Sequence, residues 1–246
     1  MTGLLYTRYE LVRALRNRRF FFFSLGFPLV LYFVIAAPNR NVPDFDNSGI
    51  SFPLYYMVGL TSLGTMIAMI STGTRIAAER QIGWTRQLRI TPLKTRDYFR
   101  AKLLAAYMMA CLTIAALCLA GASLGVSLPL GRWLEMVGLI LVALAPFAAL
   151  GVMLGHLLNV DSIGPATGGG ASLLAFLGGT WFPLGHSGFV FELGRLLPSY
   201  WLVQAGHVAL TGEGWPLRAW LTVAAWSVLL TLGAAYAFRR DTKRVS

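Results

Sequence analysis

Lysine is almost missing from this chain: Lys94, Lys102 and Lys243 are the only three in 246 residues. None follows a glycine, which excludes the phosphate-cradling GxxxxGK(S/T) loop; any ATP used here is hydrolysed by another polypeptide. Cysteine is equally scarce. Cys111 and Cys118 stand seven residues apart in one apolar stretch, roughly 10 Å along a helix axis, too far to bridge. The three histidines, His156, His186 and His207, are scattered, with no HExxH and no cysteine partner, so no metal ligand set is visible. No Asp, Glu, Lys or Arg stands in the middle of the long apolar runs. That argues against a proton-coupled carrier, which must hold its proton on an ionisable group inside the bilayer; sodium sites built from carbonyl oxygens stay open.

What the chain has in abundance is apolar surface. Hydrophobic residues make up 56% of it, charged residues 13%, and the mean hydropathy is +0.62. These values lie outside the soluble range. Six stretches approach the roughly 20 apolar residues a helix needs to cross a bilayer: residues 20–37, 53–74, 103–126, 134–158, 163–184 and 217–238. Apolar character persists through every turn instead of alternating, which excludes a transmembrane barrel. The expectation is an all-α membrane protein with six transmembrane helices, in a single transmembrane domain over residues 1–246.

Charge sets the orientation. With the N-terminus inside, 17 of the 21 basic residues face the cytoplasm, and Arg40, Arg132, Arg195 and Arg218 stay outside. The net +11 is thus a topology signal, not a nucleic-acid-binding signal. The expected location is a bacterial cell (inner) membrane, multi-pass, with both termini cytoplasmic. Arg-rich, Lys-poor usage agrees with a high-GC bacterial genome.

Residues 2–19 predict an interfacial helix whose Leu4, Leu5, Leu11, Val12 and Leu15 share one face. The basic start followed by an apolar run is too long for a cleaved signal and predicts an uncleaved first span. Residues 183–210 are too apolar for a solvated loop yet broken by Pro183, Pro198 and three glycines; they predict a re-entrant hairpin on the outer side, with Glu192 paired to Arg195. Gly170-Ala171-Ser172 with a distant His207 resembles the Gly-x-Ser of rhomboid proteases, but Leu173 stands where that family has glycine.

Between the second and third stretches lies a basic segment, residues 75–102, with eight Lys or Arg against Glu79 and Asp97. Ile82, Trp84, Leu88 and Ile90 are threaded through it, more apolar surface than a hydrophilic connector needs. Glu79-Arg80, Gly83, Leu88, Pro92 and Lys102, followed later by Gly179-Thr180-Trp181-Phe182-Pro183 and Leu197-Pro198-Ser199-Tyr200, make the chain resemble the permease subunit of type-two (ABC-2-like) ATP-binding-cassette exporters. These export drugs, antibiotics or lipid-linked polysaccharides. One departure stands out: where the family has threonine and then an acid after the glycine, this chain has Trp84-Thr85-Arg86-Gln87, so an acidic contact to an ATPase is absent or supplied by Glu79.

The resemblance implies two cytoplasmic ATPase subunits that use ATP and Mg, a second permease copy or paralogue, surrounding membrane lipid, and no cofactor held by this chain. Multidrug or antibiotic resistance is one expected role. With the resemblance goes ATPase coupling through a cytoplasmic helix around Ile82–Arg89, with Glu79, Arg80, Ile82, Gly83, Trp84, Arg86, Leu88, Arg89 and Pro92 as the coupling residues. A substrate path along the second and fifth spans would include Thr61, Thr65, Met66, Met69, Ser172, Phe176 and Thr180. Trp181, Phe182, Pro183, Pro198 and Tyr200 would form an outer gate. The apolar spans favour an amphipathic or lipid-like cargo. The alternative is a non-transporting assembly or signalling protein that docks anionic lipid through the basic loop.

Overall fold

The structure, a computed structural model, describes residues 2–43, 45, 50–84, 87, 90–185, 187–211 and 214–243. Arg86, Leu88, Arg89 and His186 lie outside the described residues. All regular structure among those described is helical: α1 (Thr2–Arg16), α2 (Arg18–Ala36), α3 (Phe52–Gln81), α4 (Thr95–Ser123), α5 (Leu130–Leu157), α6 (Val160–Leu177), α7 (Phe189–Arg195), α8 (Pro198–Thr211) and α9 (Leu217–Lys243). Of these, α2, α3, α4, α5 and α9 are long and apolar enough to cross a membrane. The chain is a multi-pass helical membrane protein.

The fifth expected span, 163–184, differs in extent. Its helix α6 starts earlier and stops at Leu177, giving 18 residues, and it is not among the five. Asn159 starts it, its side chain accepting the Ser162 N–H at 2.9 Å. Gly178 and Gly179 end it. Gly179 takes φ +78°, a left-handed conformation that a side chain would strain, and turns the chain toward Pro183. The Asp161, glycine and threonine of its first half lower its apolarity below that of its neighbours.

A proline in α2 shows how a bilayer helix repairs itself. Pro28 has no N–H to donate to the Ser24 carbonyl, and its ring would crowd that oxygen. The helix widens by one residue per turn over Phe22–Gly26, just ahead of the proline. The freed Ser24 oxygen then accepts the Thr113 hydroxyl of α4 at 3.1 Å, so it is not left bare in a medium without water.

Helix α3 is the axis of the molecule. In its most apolar window 83% is buried, against 17% for α9, which leans mainly on the second half of α5. Around α3 pack α2, α4, α5, α6 and α8. The crossing with α5 is backbone to backbone: a Cβ on Gly73 would fall 2.3 Å from the Gly151 carbonyl oxygen, so only glycine fits there. Near its start, Tyr55 donates to the Gly179 oxygen at 2.6 Å and Tyr56 to the Trp181 oxygen at 3.2 Å.

The expected hairpin contains two helices, α7 and α8, with Pro198 opening the second. Arg195 and Glu192 pair at 3.2 Å as their spacing predicts, and both cysteines are free.

Candidate functional site

Glu79 and Arg80 are adjacent near the C-terminal end of α3, and a helix turns about 100° per residue. Their side chains therefore leave α3 in different directions. Glu79 faces α1 and α4. Its Oε1 receives Arg13 Nη1 at 2.6 Å and the Lys102 ammonium, and its Oε2 accepts the Tyr98 hydroxyl at 2.7 Å. Lys102 Nζ also lies 2.9 Å from Glu10 Oε2, and Arg13 reaches Glu10 at 3.3 Å. Glu79 and Lys102 are 0% exposed and Glu10 3%. Ions held this far from water persist only where opposite charges and hydrogen bonds meet them.

Arg80 faces α5 and α9. Its Nη1 donates to the Gly155 and Leu158 carbonyls at 2.9 and 3.2 Å, oxygens that the end of α5 leaves without helical partners. Its Nη2 donates to Asp241 Oδ1 at 2.6 Å, and the other oxygen of Asp241 lies 3.0 Å from His156 Nδ1. Two neighbouring residues thus tie α3 to four helices.

In α1 the charges act on titration as well. Burial alone would raise the Glu10 pKa, but Lys102, then Arg75 and Arg13, overcome it and hold the carboxyl below its usual range. Burial, together with the Glu10 and Glu79 charges, pushes the Tyr6 phenol up.

Beyond Gln81 the helix stops because Gly83 adopts φ +71° and its N–H bonds the Arg80 carbonyl at 3.1 Å. A Cβ there would meet nothing within 4 Å, so conformation, not space, calls for glycine. The chain then turns along α1. Leu5, Tyr9 and Arg13 of α1 face Ile82, Trp84 and Pro92 across a cleft of about 670 Å³. Ile82 is well exposed and Trp84 half-buried. Leu4, Val12 and Leu15 of α1 are exposed, giving it an unpaired apolar face.

The other expected residues fall in three places. Thr61, Thr65, Met66 and Met69 lie inside the helix bundle, the two hydroxyls donating to their own helix at 2.6 and 2.7 Å. Ser172 and Phe176 face outward on α6. Thr180 and Pro198 are buried, Trp181, Pro183 and Tyr200 half-buried, and Phe182 exposed, all around the turn that Tyr55 and Tyr56 hold. No hydrogen bond joins His207 Nε2 to Ser172, whose hydroxyl donates to Gly168, so the protease pairing is not assembled.

Of the partners, Glu10, Arg13 and Asp241 were not singled out by sequence, while Lys102 was picked out only as a motif residue and His156 only as a scattered histidine. A usable signal exists, however: Glu10 and Asp241 are isolated acids in strongly basic runs.

This arrangement, a multi-pass helical bundle whose Glu-Arg pair anchors a basic segment, agrees with the resemblance to the membrane subunits of transporters. Residues 36–237 match the ABC-2 family transporter protein model, and the chain belongs to that family. It is also 30% identical over 237 residues to a Bacillus subtilis (strain 168) protein named "Putative transport permease YvfS", spanning 94% of this chain and 95% of the other.

Proposed function

We propose that this chain is the membrane permease of an ABC exporter, working as a pair with a second permease and driven by two separate cytoplasmic ATPase subunits. The observation that carries it is the tie at Glu79 and Arg80. The segment from Ile82 to Pro92 continues directly from a helix fastened to α1, α4, α5 and α9. Force applied to that segment reaches most of the bundle without first having to stiffen it. Glu79 is buried and fully occupied, so its part is that of an internal strut. Contact with the ATPase falls to Ile82, Trp84 and Pro92 along the cleft, with Arg86, Leu88 and Arg89 between them in sequence.

In this reading the basic end is cytoplasmic in a bacterial inner membrane, α6 is the sixth crossing, and ATP with Mg is bound and hydrolysed by the partner. The cargo is amphipathic or lipid-like. Its path follows the outward face of α6, through Ser172 and Phe176, toward the turn at Trp181–Pro183, which gates the outer side. The test is co-expression with a candidate ATP-binding-cassette ATPase. Trp84→Ala and Arg89→Glu are expected to lower ATPase co-purification and ATP-dependent transport together. Unchanged values for both variants would refute the coupling assignment.

A further inference from the structure

A second cavity, about 440 Å³, opens between α2, α3 and α6 at the basic end. Phe20, Phe23, Ile67 and Ile70 give it an apolar lining, while Asn17, Ser71, Thr74 and Thr167 add hydroxyl and amide groups. On α6 it meets bare backbone: a Cβ on Gly164 or Gly168 would find nothing within 4 Å.

Arg75 lines this cleft and is 7% exposed. Its Nε, Nη1 and Nη2 have no hydrogen-bond partner among the described residues. Its nearest carboxylate, Glu10, stands at 3.8 Å, beyond hydrogen-bond reach. That carboxylate is already taken by Lys102 and Arg13, which also serve Glu79. Three cations thus share two carboxylates, and Arg75 is the surplus positive charge. Its guanidinium carbon lies 5.1 Å from the centre of the Phe20 ring, a cation–π contact that leaves the N–H edge free. A buried group so lacking in partners calls for an explanation. A planar guanidinium suits a carboxylate or phosphate oxygen pair.

We propose that this cleft binds an amphipath carrying one negative charge, with its head on Arg75 and its tail along Phe23, Ile67 and the open glycine face of α6. Resting on the exporter reading, this gives the cargo class: an anionic amphipath taken from the leaflet at the basic end. Arg75 compensates its charge there and the apolar wall shields its first methylenes. Asn17 and Arg19 stand at the rim, within reach of further polar atoms on the head.

The test uses the full chain, purified without any ATPase, so its result is separate from that of the coupling experiment. Native mass spectrometry compares binding of dodecyl phosphate, dodecyltrimethylammonium and phosphatidylglycerol, with inorganic phosphate as competitor. Dodecyl phosphate is expected to bind at least tenfold better than the cation. It is also expected to displace phosphatidylglycerol, which separates an exchangeable cargo from a resident lipid. Arg75→Gln should remove the preference and Arg75→Lys restore most of it. Gly168→Leu, which fills the cleft without touching the charged cluster, should weaken both anionic ligands about tenfold and so keeps the test open if Arg75→Gln fails to fold. Equal binding of anion and cation, competition by inorganic phosphate alone, or indifference to Gly168→Leu would overturn the proposal. So would a complete lack of probe binding because a second copy covers the cleft.

Discussion

At the basic end α3 is fastened to four helices, by a buried ionic cluster at Glu79 and by a half-buried ion pair and two carbonyl hydrogen bonds at Arg80. At the opposite end it is fastened by Tyr55 and Tyr56 to the turn after α6 through two neutral hydrogen bonds. The difference lies in what breaking each would cost. Separating one partner from the ionic cluster strands a charge where water cannot reach it. Releasing a tyrosine strands only a hydroxyl and a carbonyl, each of which finds a new partner more easily. A bundle built this way moves as one body at its charged end and yields first at its neutral end. The proposed coupling, a push at the charged end and an opening at the other, requires that behaviour.

The comparison is broken most severely at Glu79. Glu79→Gln leaves Lys102 buried without enough negative charge and is expected to destabilise the protein by about 3–5 kcal/mol. Thermal unfolding in detergent would show this as a large fall in melting temperature. Adding Lys102→Met should recover much of it, because the pair then leaves together. A Glu79→Gln protein as stable as the parent would mean that the buried cluster is not a structural strut.

Acidification probes the same end more gently. The folded-state pKa of Glu10 is depressed, so its contribution is fully present above the ordinary carboxylate pKa of about 4.3 and is lost as pH falls through the lower folded value. Melting temperature should therefore drop below about pH 4.3 in the parent, and Glu10→Gln should start lower and show a shallower drop. An unchanged acid limb in the variant would show that Glu10 is not the titrating group.

The smallest effect is expected at the neutral end. Tyr55→Phe removes one hydrogen bond, about 1 kcal/mol, with little change in melting temperature but easier labelling of a cysteine placed at Phe182. Labelling that stays at the parent's rate would show that this bond does not hold the turn closed.

Much of the fold was legible because apolarity is a local property. The five long helices overlap the stretches expected from residue composition, whereas the helix end at Gly83 was not foreseen, because the motif marks the glycine without saying that it takes a left-handed conformation. α6 was less legible: its first half is packed with glycine and hydroxyl residues, so apolar content blurred its end into the following turn. The site was readable only as a line of residues along the chain. Glu79 reads as a surface acid in a basic loop, and nothing local says that Arg13 and Lys102 bury it.

Composition and order by themselves determined that this chain lies in a membrane, crosses it repeatedly as helices and cannot hold a triphosphate in a GxxxxGK(S/T) loop. Those conclusions follow from free energies of transfer and from the presence or absence of short motifs. Only the tertiary structure decided which charges meet, that Glu79 faces inward while Ile82 faces out, and that Arg75 is left with no carboxylate of its own. Pairing depends on which helices pack side by side, and side chains 23 to 161 residues apart in sequence are brought together only by that packing.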